Sequence, residues 1–280
     1  MDIKSSKVKR CWRIAVCSLI LISLAVFALI ILVFVDNKTL DFETIAVNHS
    51  AQANSGIKIV HLSDLHFPEI DIDIDGLLSR IKYEEPDIIA ITGDLIGTRT
   101  RVEQSGVFEF IEWLAPIAPT FFVSGNHELN NRERHLLYYR LTASGVIIID
   151  NQNVTLTING NNITIIGLTY GTRSIVYDNQ NYDSYIIVLK HTPSFDVLIN
   201  MPNGNPINPN LILAGHIHGG QIRLFGRGLL CPDTLLFPRY QSGLYSADNG
   251  TKMVVSRGLG NSIIPYRFNN RPHIPIITIN

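Results

Sequence analysis

The sequence predicts an α/β domain carried behind one membrane-spanning helix, and three observations predict it. Between residues 57 and 123, apolar runs of strand length alternate with segments of helical period, the pattern of parallel strands joined by right-handed crossovers. A charge-free apolar segment precedes them near the N-terminus. Most of the apolar runs end in Asp, Asn or His, and in a parallel sheet such strand ends gather at one rim.

Residues 1–13 carry Lys4, Lys7, Lys9, Arg10 and Arg13 against the single acid Asp2, and Ile14 to Val35 then runs without a charge. About 22 residues at about 1.5 Å each span about 33 Å, enough for a bilayer core of about 30 Å. The run is longer than a signal-peptide core and no small-x-small cleavage site precedes Asp36, so it reads as an uncleaved anchor. Basic residues before it and Asp36, Asp41 and Glu43 after it place the main domain on the extracytoplasmic side by the positive-inside rule. Residues 36–55 form a polar juxtamembrane linker with one short strand, read from the alternation of Leu40, Phe42, Ile45 and Val47. The remaining domain is 56–280.

Ile57 to Leu62 reads as a strand ending in Ser63-Asp64-Leu65-His66. A helix follows over Ile74 to Tyr83, then the apolar strand Asp87 to Thr92 ending in Gly93-Asp94. Val107, Phe110, Ile111 and Leu114 keep the 3.6 period of a helix over Val102 to Leu114, and Thr120 to Val123 runs as a strand into Ser124-Gly125-Asn126-His127-Glu128. A helix over Arg132 to Ala143 precedes strands at Ile147 to Ile149, Val154 to Ile158 and Ile163 to Leu168. Tyr185 to Lys190 is a strand ending at His191. A proline-bearing loop from Asn200 to Asn210 leads to Leu211-Ile212-Leu213 and then Ala214-Gly215-His216-Ile217-His218-Gly219-Gly220-Gln221. Gly226 to Asn249 is loop-heavy, Met253 to Val255 is a strand, and the final strand Ile274 to Ile279, which contains Pro275, is expected at a sheet edge.

Composition narrows the function. A net charge of −1 gives no basic field and no evident nucleic-acid surface, and three cysteines, two of them in or beside the apolar segment, support neither a disulfide framework nor a Cys-based zinc site. Cys231 reads as an ordinary thiol. Five Asn-x-Ser/Thr sequences are what so Asn-rich a chain gives by chance, and no glycosylation follows from them.

The strand-end residues are Asp64, His66, Asp94, Asn126, His127, His191, His216 and His218, and they take five of the nine histidines. Oxygen and nitrogen donors without thiolate suit Mn²⁺, Fe or Zn²⁺. Two histidines at i and i+2 cannot share a helix face, but where a strand breaks into a loop both can turn to one point, and flanking glycines let backbone come close to a ligand. His61 inside a strand and His135 inside a helix read as packing or surface residues, and His49 and His273 carry no signal.

Asp64-x-His66, Gly93-Asp94, Gly125-Asn126-His127-Glu128, His191 and Gly215-His216-x-His218 together resemble the ordered motif set of the calcineurin-like metallophosphoesterases. With the N-terminal anchor, Gly219-Gly220-Gln221 and Ser256-Arg257-Gly258-Leu259-Gly260, the chain most resembles the membrane-associated YkuE/YaeI-like branch over roughly residues 40 to 280. The resemblance implies a four-layer α/β/β/α sandwich, with Asp64, His66 and His218 on one divalent metal ion, Asn126, His191 and His216 on a second, and Asp94 bridging. Two dications about 3.7 Å apart repel by about 18 kcal/mol at an effective dielectric near 20, which a shared carboxylate and hydroxide offset. It further implies hydrolysis of a phosphoester by a two-metal-activated hydroxide, with His127 stabilising or protonating the leaving oxygen. Arg223, Arg257 and Arg267, which follow the last motif, are candidates for contact with substrate phosphate. The expected substrate is a phosphodiester or pyrophosphate, with a lipid-linked pyrophosphatase such as a UDP-diacylglucosamine hydrolase of lipid A synthesis as the second reading and a non-catalytic scaffold as the third. The bilayer is the expected partner of residues 14–35, and no protein partner is inferred. One departure stands out: the branch often has Gly-hydrophobic-Asp-Asp after the mid-chain strand, where this chain has Gly167-Leu168-Thr169-Tyr170.

Overall fold

A computed structural model describes residues 3–48, 56–177, 184–200, 204–231, 235–261 and 265–280. His49 and the linker up to residue 55 lie outside the described residues, as do 201–203 of the proline-bearing loop.

Helix α1 covers Ile3–Lys38, and its apolar side chains between Ile14 and Val35 are almost all exposed around the whole circumference. A helix apolar on every face and packed on no protein core fits a lipid surrounding. Among the described residues it is the one helix long and apolar enough to cross a membrane. Its last turn is fastened to the domain. Asn37 Nδ2 donates to Arg267 O at 2.9 Å and Asn37 Oδ1 accepts from Arg267 N at 3.0 Å. Asp36, 4% exposed, accepts from Asn269 N and faces Arg271 Nε at 3.5 Å.

Two six-stranded sheets follow. The strands are β1 (Asp41–Val47), β2 (Ile57–Leu62), β3 (Ile88–Ile91), β4 (Thr120–Phe122), β5 (Ile147–Ile148), β6 (Asn153–Ile158), β7 (Asn161–Leu168), β8 (Tyr185–Lys190), β9 (Leu211–Ala214), β10 (Gly243–Ser246), β11 (Lys252–Val255) and β12 (His273–Ile279). The first sheet runs β1-β12-β2-β3-β4-β5 and the second β10-β11-β9-β8-β7-β6. In each, the strands that carry the motifs lie parallel, so their C-terminal ends share a rim.

Period-two patterning decides the layers. Ile57 and Ile59 face the second sheet, packing with Ile163, Ile165, Ile187 and Leu211, while Val60 and Leu62 face the helices. Helices α2 (Ile74–Glu84), α3 (Val107–Leu114), the short α4 (Asn126–Asn130) and α5 (Arg134–Ala143) follow the strands of the first sheet, and Leu77, Ile111, Leu114, Leu137 and Leu141 from three of them cover that face. The helix expected over Val102 to Leu114 is divided: a 3₁₀ turn at Val102–Gln104 is separated from α3 by Gly106 at φ +76°. The outer face of the second sheet is covered, among the described residues, by the short strands Ser174–Val176, Leu198–Asn200 and Pro206–Ile207 with Phe195, Tyr240 and Tyr245, and by no helix. The fourth layer is therefore strands and loops, because the segments supplying it are short, proline-bearing and without a helical period.

One expectation is corrected. The strand holding Pro275 is not at an edge: β12 lies between β1 and β2. Pro275 pairs with Glu43 of β1 and stands one residue before the first β2 partner, Ile276 opposite Val60, so it sits outside the registered β2 ladder. The edge is β1, supplied by the linker.

Candidate metal centre

Each donor sits where a strand stops. Asp64 and His66 follow β2, Asp94 follows β3, Asn126 and His127 follow β4, His191 follows β8, and His216 and His218 follow β9. Leaving the ladder lets the backbone turn sharply: Asp64, His66, Asp94, His216 and His218 all have φ between +50° and +71°. Non-glycine residues in that region cost roughly 1–3 kcal/mol each and persist where surrounding structure enforces them. The strain aims five side chains at one point.

The donors fall into two buried triads. Ligand-capable atoms of Asp64, His66 and His218 lie within 4.8 Å of one another, and so do those of Asp94, His191 and His216. His66 Nε2 is 3.2 Å from His218 Nε2, which is 3.5 Å from Asp64 Oδ1. His191 Nε2 is 3.1 Å from Asp94 Oδ2 and 2.9 Å from His216 Nδ1. Asp94 Oδ2 also lies 3.9 Å from His66 Nε2 and 3.8 Å from His127 Nε2, so Asp94 stands between the triads.

Neighbouring groups fix which nitrogen faces inward. His191 Nδ1 donates to Thr92 O at 2.7 Å and His218 Nδ1 to Gly260 O at 3.3 Å, leaving each Nε2 as the inward donor atom. His127 is set the other way: its Nδ1 accepts from Thr98 N at 3.1 Å, so a neutral ring carries its proton on Nε2, toward the cluster. Asn126 Oδ1 is buried with no hydrogen-bond partner, an orphan acceptor that a cation would satisfy.

Burial lowers the His66 pKa to about 4 and that of His218 to about 3, so both are neutral near pH 7. Burial pushes Asp64 and Asp94 upward, but the neighbouring imidazoles outweigh it and hold both below the usual carboxylate range. For His191 burial opposes the charge, yet Asp94 prevails and raises the pKa to about 10 in the metal-free chain. Imidazoles that are neutral, as at His66 and His218, or can give up a proton, as at His191, fit divalent cations together with two ionised carboxylates and an orphan amide oxygen. A ligating imidazole must be neutral, so Mn²⁺ loading at pH 8 is expected to expel roughly one proton, from His191, and affinity should rise with pH toward about 10. Binding enthalpies measured in buffers of different ionisation heat give that number directly; a buffer-independent enthalpy contradicts it.

Several residues matter that the sequence did not single out. Glu128, fully buried, accepts from four backbone N–H groups: Asp94 at 2.9 Å, Leu95 at 2.7 Å, Ile96 at 3.2 Å and Gly125 at 2.9 Å. It ties the ends of β3 and β4 together. Burial first, and then the Asp94 charge, push its pKa up to about 7 in spite of these donors. The signal was available, since Glu128 is an acid in an otherwise uncharged motif. Tyr170, at the point of departure from the branch pattern, stands with its ring centroid 6.0 Å from His191 and 5.8 Å from His216.

The three arginine candidates all bond protein groups. Arg267 is buried behind His218 and donates to Arg257 O and Gly260 O. Arg257 pairs with Asp41 and reaches Ser242 Oγ at 3.1 Å. Arg223 donates to Gly219 O and Gly226 O. Their donors brace the loops after β9, and none of the three lines the cleft over the donors, where Arg99 and Arg101 stand instead. The glycine of the last motif likewise serves the protein: a Cβ at Gly215 would lie 1.8 Å from Ser63 Oγ and 2.4 Å from Asp64 Oδ2, so the space it leaves holds the first triad's carboxylate. The bland histidines are placed as well, His61 buried on Thr92 Oγ1 at 2.8 Å, His135 exposed on α5, and His273 buried against Glu43 at 2.8 Å.

The cleft is a cavity of about 1350 Å³ with His66, Asp94, Asn126, His127, His216 and His218 among its lining residues. Residues 57–220, which contain all of these, match the calcineurin-like phosphoesterase family model. The chain belongs to that family. A calcineurin-like phosphoesterase is a hydrolase of phosphoester bonds that uses divalent metals, and the chain has the clustered donors for them. Similar relatives include the metallophosphoesterase YkoQ of Bacillus subtilis, 27% identical over 91% of this chain and 97% of its own length. YkuE of the same organism is 28% identical over 80% of this chain and 79% of its own. The phosphodiesterase YaeI of Escherichia coli is 27% identical over 79% of this chain and 82% of its own. A solved Thermus thermophilus protein, TT1561, superposes with a TM-score of 0.40 at 13% identity, covering 72% of this chain and 90% of its own.

Proposed function

We propose that this calcineurin-like phosphoesterase is a membrane-anchored enzyme that hydrolyses phosphodiester or pyrophosphate bonds. Residues 14–35 form the anchor, residues 1–13 stay in the cytoplasm, and the catalytic domain lies outside. The observation that carries the catalytic reading is Asp94 standing between two buried triads. Asp64, His66 and His218 would hold one divalent cation, Asn126, His191 and His216 a second, and Asp94 would serve both; Mn²⁺, Fe and Zn²⁺ all suit these donors. When bound, such a pair supplies the charge that activates water near neutral pH and steadies the phosphate oxygens.

The chain's own groups do the rest. His127 points an N–H bond into the cluster and can give a proton to the departing oxygen. Glu128 keeps the Asp94 and Gly125 backbones at fixed separation. The scaffold reading is disfavoured because every donor position holds a competent residue. The likeness to the phosphodiesterase YaeI supports a diester over a monoester.

The test is hydrolysis of bis(p-nitrophenyl) phosphate and p-nitrophenyl phosphate by the full chain with Mn²⁺, Fe²⁺ or Zn²⁺. Turnover of the diester, abolished by chelation and restored by metal, is expected. Binding of fewer than about one equivalent after Mn²⁺ reconstitution would instead favour the scaffold. His127→Ala is expected to cost about a hundredfold on an alkyl diester, whose alkoxide needs a proton. The same variant should lose less than about tenfold on a p-nitrophenyl diester, whose phenolate leaves unaided. Equal losses on the two substrates would remove His127 from that role.

A further inference from the structure

The cavity over the donors has one wall that belongs to α1. Leu29, Ile30, Val33 and Phe34 line it together with the metal-centre side chains. They occupy the final turns of the apolar segment that ends at Val35. Leu29 lies six residues before that end, about 9 Å along the helix axis, which is more than half of the roughly 15 Å of hydrocarbon in one leaflet. With residues 14–35 in a bilayer, the α1 wall of the cleft would face the leaflet.

This placement is held rigidly. The two-way bonding of Asn37 to the Arg267 backbone, the Asp36 contacts with Asn269 and Arg271, and the pairing of Lys38 with Asp71 fix the helix end against the domain. The segment that grips α1 also backs the metal centre, because Arg267 donates to Gly260 O, the carbonyl that orients His218. Pro265 and Tyr266, the latter 62% exposed, complete the cleft's edge, a residue type suited to the headgroup boundary. The exposed cations Arg99 and Arg101 stand at its mouth.

We propose that the substrate is a membrane glycerophospholipid diester, bound with its phosphate at the metal centre and its acyl chains still in the leaflet along Leu29, Ile30, Val33 and Phe34. This rests on the phosphoesterase reading and on the anchor given above. A water-soluble ester gains nothing from an apolar wall at that depth. A lipid gains a route to the centre without extraction, which costs free energy for every methylene drawn into water. In the reaction a water oxygen bonds to phosphorus, one P–O ester bond breaks, and the departing alkoxide takes a proton, leaving a phosphomonoester and an alcohol.

The test reconstitutes the full chain with Mn²⁺ in phosphatidylcholine vesicles containing headgroup-labelled phosphatidylglycerol. Release of water-soluble label is compared with hydrolysis of glycerophosphoglycerol, the same diester without acyl chains. The expected kcat/KM is at least about tenfold higher for the lipid, and Val33→Trp or Ile30→Trp, which fill the wall, should lower that ratio by about tenfold. A wild-type ratio near one, or a ratio unmoved by both tryptophans, overturns the lipid assignment and leaves the phosphoesterase reading standing. Activity on neither ester overturns both.

Discussion

Replacing Asp94 with Asn is expected to lower diester turnover by about a thousandfold or more, on the order of 4 kcal/mol of transition-state stabilisation. Asn is nearly the same size and its oxygen can still accept the His127 N–H bond that Asp94 Oδ1 accepts at 2.9 Å, so the loop keeps its shape. What is lost is the negative charge between the two triads. Two dications a few ångströms apart then repel with one fewer shared anion, and at least one of them should bind poorly. The same charge holds the His191 pKa at about 10, so Asp94→Asn should bring it down. Metal content and turnover measured together on the purified variant decide the matter. A variant that holds two Mn²⁺ and keeps more than about a tenth of wild-type activity ends the bridging assignment.

Replacing Glu128 with Ala is expected to destabilise the fold by about 4 kcal/mol, because four backbone N–H groups at the ends of β3 and β4 lose their acceptor in a site that water does not reach. For a domain of this size that is a fall of roughly 10 °C in Tm. Glu128→Gln should lie between the two, since an amide offers one acceptor oxygen in place of two. Thermal unfolding of chelator-treated protein checks this without metal binding contributing. A loss below about 1 kcal/mol would mean that the loops rearrange to bond their own N–H groups.

The centre was legible in the sequence for a simple reason: each donor follows an apolar run, and the ends of such runs are the most reliably placed points in a parallel sheet. Ile88 to Ile91 could hardly be other than a buried strand, so Asp94 had to lie near its end. The partners of the arginines were not legible, because a long flexible side chain reaches groups set by tertiary structure, as Arg257 reaches Asp41 across 216 positions. Pro275 misled for a related reason: a strand's composition says that a proline must avoid a ladder bond but not which neighbours arrive. The covering of the second sheet was implied by family resemblance alone, and residues 169–210 carry no helical period to support it. Glu128 was in view and unassigned, because a carboxylate that binds only backbone is invisible to a search for paired side chains.

The position of β12 has a consequence for how the molecule is made. Residues 273–279 separate β1 from β2, so the first sheet cannot close until the chain through Ile279 has left the ribosome. Asn270 and Arg267, which brace His218, come from the same late stretch. Closing of the first sheet and bracing of His218 therefore both wait on the same late-synthesised stretch.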